Sequence, residues 1–144
     1  MRWIRKLFGG EGERGREPEG GPRRVLSPEE TEKIGTEEDL LVGYEAALER
    51  NTQAARAEGR GDVEAAIRLY ELSVAEEFVG AHPYERLAAL HESRRRYAEA
   101  LRVTEAYVRL ARSGRLPRGS QRSADRKLPE FEARAERYRR MLES

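Results

Sequence analysis

Gly61-Asp62-Val63-Glu64-Ala65-Ala66-Ile67-Arg68-Leu69-Tyr70-Glu71 returns 34 residues on as Arg95-Arg96-Tyr97-Ala98-Glu99-Ala100-Leu101-Arg102-Val103-Thr104-Glu105. Ala66 falls on Ala100, Ile67 on Leu101, Leu69 on Val103 and Glu71 on Glu105. Self-similarity at this period marks a stacked helix-turn-helix array. Between the copies, Pro83-Tyr84-Glu85-Arg86-Leu87-Ala88-Ala89-Leu90-His91 supplies the other helix of the second unit. The fold class that follows is all-α, built from stacked antiparallel helix hairpins.

Working outward, Thr36-Glu37-Glu38-Asp39 reads as a capped start with an acidic first turn. Leu40, Leu41, Tyr44, Ala47, Leu48, Ala54 and Ala55 then recur at helical spacing to about Glu58. Gly59-Arg60-Gly61 ends that helix and Asp62 caps the next. The second helix turns Val63, Ala66, Ile67, Tyr70 and Val74 to one face and runs to about Glu77. Val79 to His82 is a turn, and Pro83 opens a third helix with Tyr84, Leu87, Ala88 and His91 or Leu90 on its buried side. A fourth opens at Tyr97, with Ala100, Leu101, Thr104, Tyr107, Val108 and Ala111 inward, and closes at Ser113-Gly114. Residues 113–126 read as a polar, basic loop. In the last helix Leu128, Phe131, Ala135, Tyr138 and Leu142 form a seam that packs on the preceding helix or, alternatively, pairs in a short coiled coil.

Residues 1–35 have a different composition and read as an amphipathic segment plus a flexible tether, ahead of a helical domain at 36–144. On a helical wheel Trp3, Ile4, Leu7 and Phe8 share one arc and Arg2, Arg5 and Lys6 the opposite one. Such a segment can dock on a membrane surface or in a protein groove. Burying four large side chains returns about 6–12 kcal/mol. Ordering eight residues costs about 8–16 kcal/mol. Alone, therefore, it makes only a weak, reversible anchor. Residues 9–26 are Gly, Glu, Arg and Pro with little to bury, and Ser27-Pro28-Glu29-Glu30 starts a short helix that Gly35 stops.

The composition bears on function mainly by exclusion. With no cysteine there is neither a disulfide framework nor thiolate chemistry, which fits a cytoplasmic protein, peripheral to the inner membrane if residues 1–8 engage lipid. No apolar run approaches the roughly 20 residues of a spanning helix. The net charge is +1, with residues 40–93 leaning acidic and 94–140 rich in arginine. Lysine is confined to Lys6, Lys33 and Lys127, so codon composition accounts for much of the arginine excess.

At residues 84–104 the sequence resembles the tetratricopeptide repeat family, in which a large aromatic, a Leu-Gly pair, a Tyr, then Ala and a large residue recur. Tyr84, Leu87, Ala88, His91, Ala100 and Thr104 stand at those positions. In the first unit Arg50, Gln53, Ala54, Ala57, Ala66 and Tyr70 match well in the second helix and poorly in the first. Both units lack the closing proline, with Phe78 and Arg112 in its place; Phe131, Ala135 and Tyr138 suit a third, incomplete unit. The resemblance implies a right-handed α-solenoid fragment of about two repeats and a capping helix. It also implies a protein or peptide ligand held in a groove lined by the first helix of each unit. The groove positions are then Asn51, Ala55 and Glu58; Glu85, Arg86, Ala89, Glu92 and Ser93; and Glu132, Glu136 and Arg139. The Lys and Asn that clamp a terminal carboxylate in some members are not matched, since Ala55 and Ala89 stand where Asn is needed.

The sequence offers little to catalysis, and a non-catalytic module without cofactor or metal is expected. His82 reads as a turn or cap residue and His91 as a packing residue, neither with a glutamate three positions before it. No phosphate cradle or nucleophile elbow is present. The alternative function is binding to nucleic acid or another anionic surface through Arg94, Arg95, Arg96, Arg112, Arg115, Arg118 and Arg122. No aromatic stacking platform is interleaved with these arginines, which makes nucleic acid the weaker reading. Oligomeric state is not legible.

Overall fold

A computed structural model describes residues 39–144, with side chains from residue 43 onward. The expected N-terminal amphipathic segment, with Trp3, Ile4, Leu7 and Phe8, and the short helix after Ser27 lie outside the described residues. Within them the chain forms five helices: α1 (Asp39–Gly59), α2 (Val63–Ala75), α3 (His82–Ser93), α4 (Tyr97–Ala111) and α5 (Arg118–Glu143). There is no strand among them, and each helix packs on the next in sequence.

The repeat is carried by the backbone as well as by the side chains. At the first turn the amides of Gly61 and Asp62 donate to the carbonyls of Glu58 and Ala57, at 2.9 and 2.8 Å. Thirty-four residues on, Arg95 and Arg96 donate to Glu92 and His91 at 2.8 and 2.9 Å. Gly61 and Arg95 both take left-handed conformations, φ +82° and +58°. Ala66 and Ala100 are both fully buried, as are Ala54 and Ala88. Methyl-sized residues at these points let helix backbones approach closely. The larger side chains fill the spaces between: Tyr107 stacks between Tyr84 and Phe131, at centroid distances of 5.0 and 4.4 Å, and so ties α3, α4 and α5 together. The architecture is thus all-α and repeat-like.

Three expectations need correction. The loop at 113–126 is largely helix: α5 starts at Arg118, and the linker from α4 is only residues 112–117. Buried Leu116 pins that linker, and the Gln121 amide side chain donates to the Ala111 carbonyl at 2.8 Å. Buried Ala124 then extends the apolar seam a turn and more ahead of Leu128. Local polarity hid this, because the arginines of that stretch all point outward. Leu142 is 48% exposed and outside the seam, since α5 outruns its partner α4. On α4, Val103 and Leu110 are buried whereas Leu101 and Val108 are only half-buried. A helix flanked on two sides buries a wider and rotated arc than a single apolar stripe suggests.

Candidate partner-binding face

Charged side chains reach from α1 to α3 and from α3 to α5, helices that are not consecutive in the chain. Glu58 at the end of α1 receives Arg86 of α3, Nη2 to Oε1 at 2.6 Å and Nε at 3.1 Å. The Tyr70 hydroxyl donates to the other oxygen of Glu58 at 2.8 Å, and the His82 ring meets Tyr70 edge-on at 5.8 Å. From α3 to α5, Lys127 reaches Glu85 at 3.1 Å, and Glu92 accepts from Arg137 at 2.8 Å and from the Tyr138 hydroxyl at 2.6 Å.

These bonds set the electrostatics. The Arg86 hydrogen bond holds Glu58 below the usual carboxylate range, against partial burial and with help from Tyr70. The Tyr138 hydrogen bond does the same for Glu92, again against burial and with Arg137 assisting. Burial first, and then the bond to Glu92, pushes the Tyr138 phenol up to about 12. Tyr70 is likewise raised, by burial and by Glu58. Neither phenol is poised to exchange a proton near neutral pH.

The positions expected to line a groove do not share one setting. Glu58, Glu85, Arg86 and Glu92 come together as the inter-helix ties, while Ala55 and Ala89 remain as small residues on α1 and α3. Ser93 caps its own helix end by donating to the Leu90 carbonyl at 2.7 Å. Asn51 is 8% exposed and accepts the Ser73 hydroxyl at 2.5 Å, so it belongs to the α1–α2 packing rather than to an open face. Glu132, Glu136 and Arg139 sit elsewhere again. They line a cleft of about 490 Å³ between α4 and α5, opposite Glu105, Val108, Arg109 and Arg112. Arg139 there bridges Glu105 at 2.8 Å and Glu136 at 3.3 Å, and Arg112 pairs with Glu132. Sequence spacing placed these residues on α5 but could not give the rotation of α5 against its neighbours.

One cluster escaped the sequence reading. Glu71, His91 and Glu99 offer ligand atoms within 4.8 Å of one another, a donor set that could hold a metal. Two observations weigh against it. The Arg102 guanidinium already lies among them, 2.6 Å from Glu71 and 2.7 Å from Glu99. His91 Nε2 faces Glu71 at 3.1 Å, while its buried Nδ1 has no partner. A metal on Nε2 would put the proton on Nδ1, leaving a buried donor without the acceptor that ligating histidines have. The better tautomer keeps the proton on Nε2 and donates it to Glu71, which makes the cluster a strut between α2, α3 and α4. Nothing in the order Glu71, His91, Glu99, Arg102 signals this convergence, which depends on three helices meeting.

Of the arginines behind the alternative function, Arg94, Arg112 and Arg115 hold Glu64, Glu132 and Glu77. No described helix is long and apolar enough to cross a membrane. No family model, curated protein or solved structure matches this chain.

Proposed function

We propose that this chain is a non-catalytic interaction module, similar in plan to a short tetratricopeptide array, which holds a peptide or helix of a partner protein across α1, α3 and α5. The observation that supports this best is the row of ties Glu58–Arg86, Glu85–Lys127 and Glu92–Arg137. They join α1 to α3 and α3 to α5, as a surface shared by the three helices requires, and they occupy Glu58, Glu85 and Glu92. Between them Ala55 and Ala89 leave room for another chain's side chains. The recognition mode is that of a helix or extended segment laid across a preformed helical face.

The test is site-specific photocrosslinking in cell extract from positions 55 and 89, with exposed Leu72 on α2 as the reference position. The same partner segment should be captured from 55 and 89 and not from 72. Equal capture at all three positions, or none at 89, overturns the reading.

A further inference from the structure

We propose that the outward face of α5 is the docking edge for an acidic helical segment of the partner, along the row Arg118, Arg122 and Arg126. This deepens the interaction reading above and rests on it. The three residues follow one another at four-residue steps, so their guanidinium groups form a single file about 12 Å long. All three are exposed, and none holds a carboxylate among the described residues. At the same end of the molecule Arg112, Arg115, Arg137 and Arg139 each hold a glutamate from another part of the fold, whereas Arg109, Arg134 and Arg140 make no ion pair among the described residues.

The file also works against its own helix. Like charges four residues apart repel. Cations in the first turns oppose the helix dipole, and α5 has neither an acidic residue in its first turn nor a side-chain cap. Asp125 and Glu130, three and four residues after Arg122 and Arg126, offset only the C-terminal part of this repulsion, and local rules broken together are characteristic of functional surfaces.

The chemistry around the file selects the ligand. Between 118 and 126 there is no aromatic side chain to stack on a base and no large apolar one to enter a bilayer. Asp125, held by Gln121 at 2.8 Å, and exposed Glu130 border the file. A broad polyanion such as a duplex or a lipid surface would lay phosphates over those carboxylates. A single helix with glutamates at four-residue spacing can meet the three guanidinium groups one by one, each carboxylate and guanidinium pairing with two parallel hydrogen bonds.

The experiment uses the full chain and a fluorescein-labelled helical peptide with glutamates at four-residue spacing, followed by anisotropy at physiological salt. A scrambled peptide of the same composition, poly-U RNA and phosphatidylserine vesicles serve as comparisons. The patterned peptide should bind more tightly than all three. Binding should weaken about tenfold or more in Arg118→Gln/Arg122→Gln/Arg126→Gln, and not in Arg95→Gln/Arg96→Gln, with unchanged circular dichroism in both. The proposal falls if the scrambled peptide, RNA or vesicles bind as well, if both variants lose binding equally, or if neither does. Should that happen while crosslinks from positions 55 and 89 persist, the module reading stands alone; loss of those crosslinks removes both.

Discussion

Arg95 occupies the position that glycine holds one repeat earlier, with a left-handed backbone that crowds its Cβ against the following carbonyl. For a residue with a side chain this costs about 1–2 kcal/mol. Arg95→Gly is therefore expected to stabilise the fold by about 1 kcal/mol, seen as a melting temperature about 4–8 °C higher for a domain of this size. A fall would show that the Arg95 side chain makes a compensating contribution. Gly61 announced its turn in the sequence, whereas Arg95 did not, because the position's geometry is imposed by the helices either side. Tyr107 is the opposite kind of residue, legible as core from helical spacing alone. Packed between Tyr84 and Phe131, it should cost about 3–5 kcal/mol when changed to alanine, a loss that a denaturant titration would read directly.

Among the elements, α5 decides whether the array holds. Its Phe131, Ala135 and Tyr138 are buried against α3 and α4, so they close the end of the core that Tyr107 would otherwise expose. A chain ending before Leu128 loses all three and is expected to unfold without cooperativity or to aggregate. An unchanged thermal transition would show that α5 is dispensable. The sequence located this helix by its seam but, by reading a loop through residue 126, began it nine residues late. Arg118 to Arg126 carries helix-compatible residues and one buried alanine, which is too weak an apolar signal without a neighbour to bury it. The α2–α3 turn was easier to read, since Pro83 lies in the first turn of α3.

At the scale of the molecule, Glu58 and Glu92 join α1 to α3 and α3 to α5, and both carboxyls are held below their ordinary value. A depressed folded value means that their contribution is present above the ordinary glutamate value of about 4.3. It is then lost as the pH falls through the folded values. The melting temperature should therefore decline as the pH is lowered from about 5 toward 3, and more gently in Glu58→Gln/Glu92→Gln; an identical decline in the variant would remove these two residues from the account. That the described chain is helical, where most of its helices stop, and that the α1–α2 pair returns as α3–α4 after 34 residues could be read from the amino acids alone, and the paired turns at Gly61 and Arg95 bear this out. Those features follow from local propensity and period, which each segment carries alone. It took the packed helices to show that Asn51 is inside, that Glu136 and Arg139 face α4, and that Arg118, Arg122 and Arg126 hold no carboxylate among the described residues. The physical reason is rotation: a few tens of degrees about a helix axis moves a polar residue from an open face to a packed one, and only the neighbouring helices fix that angle.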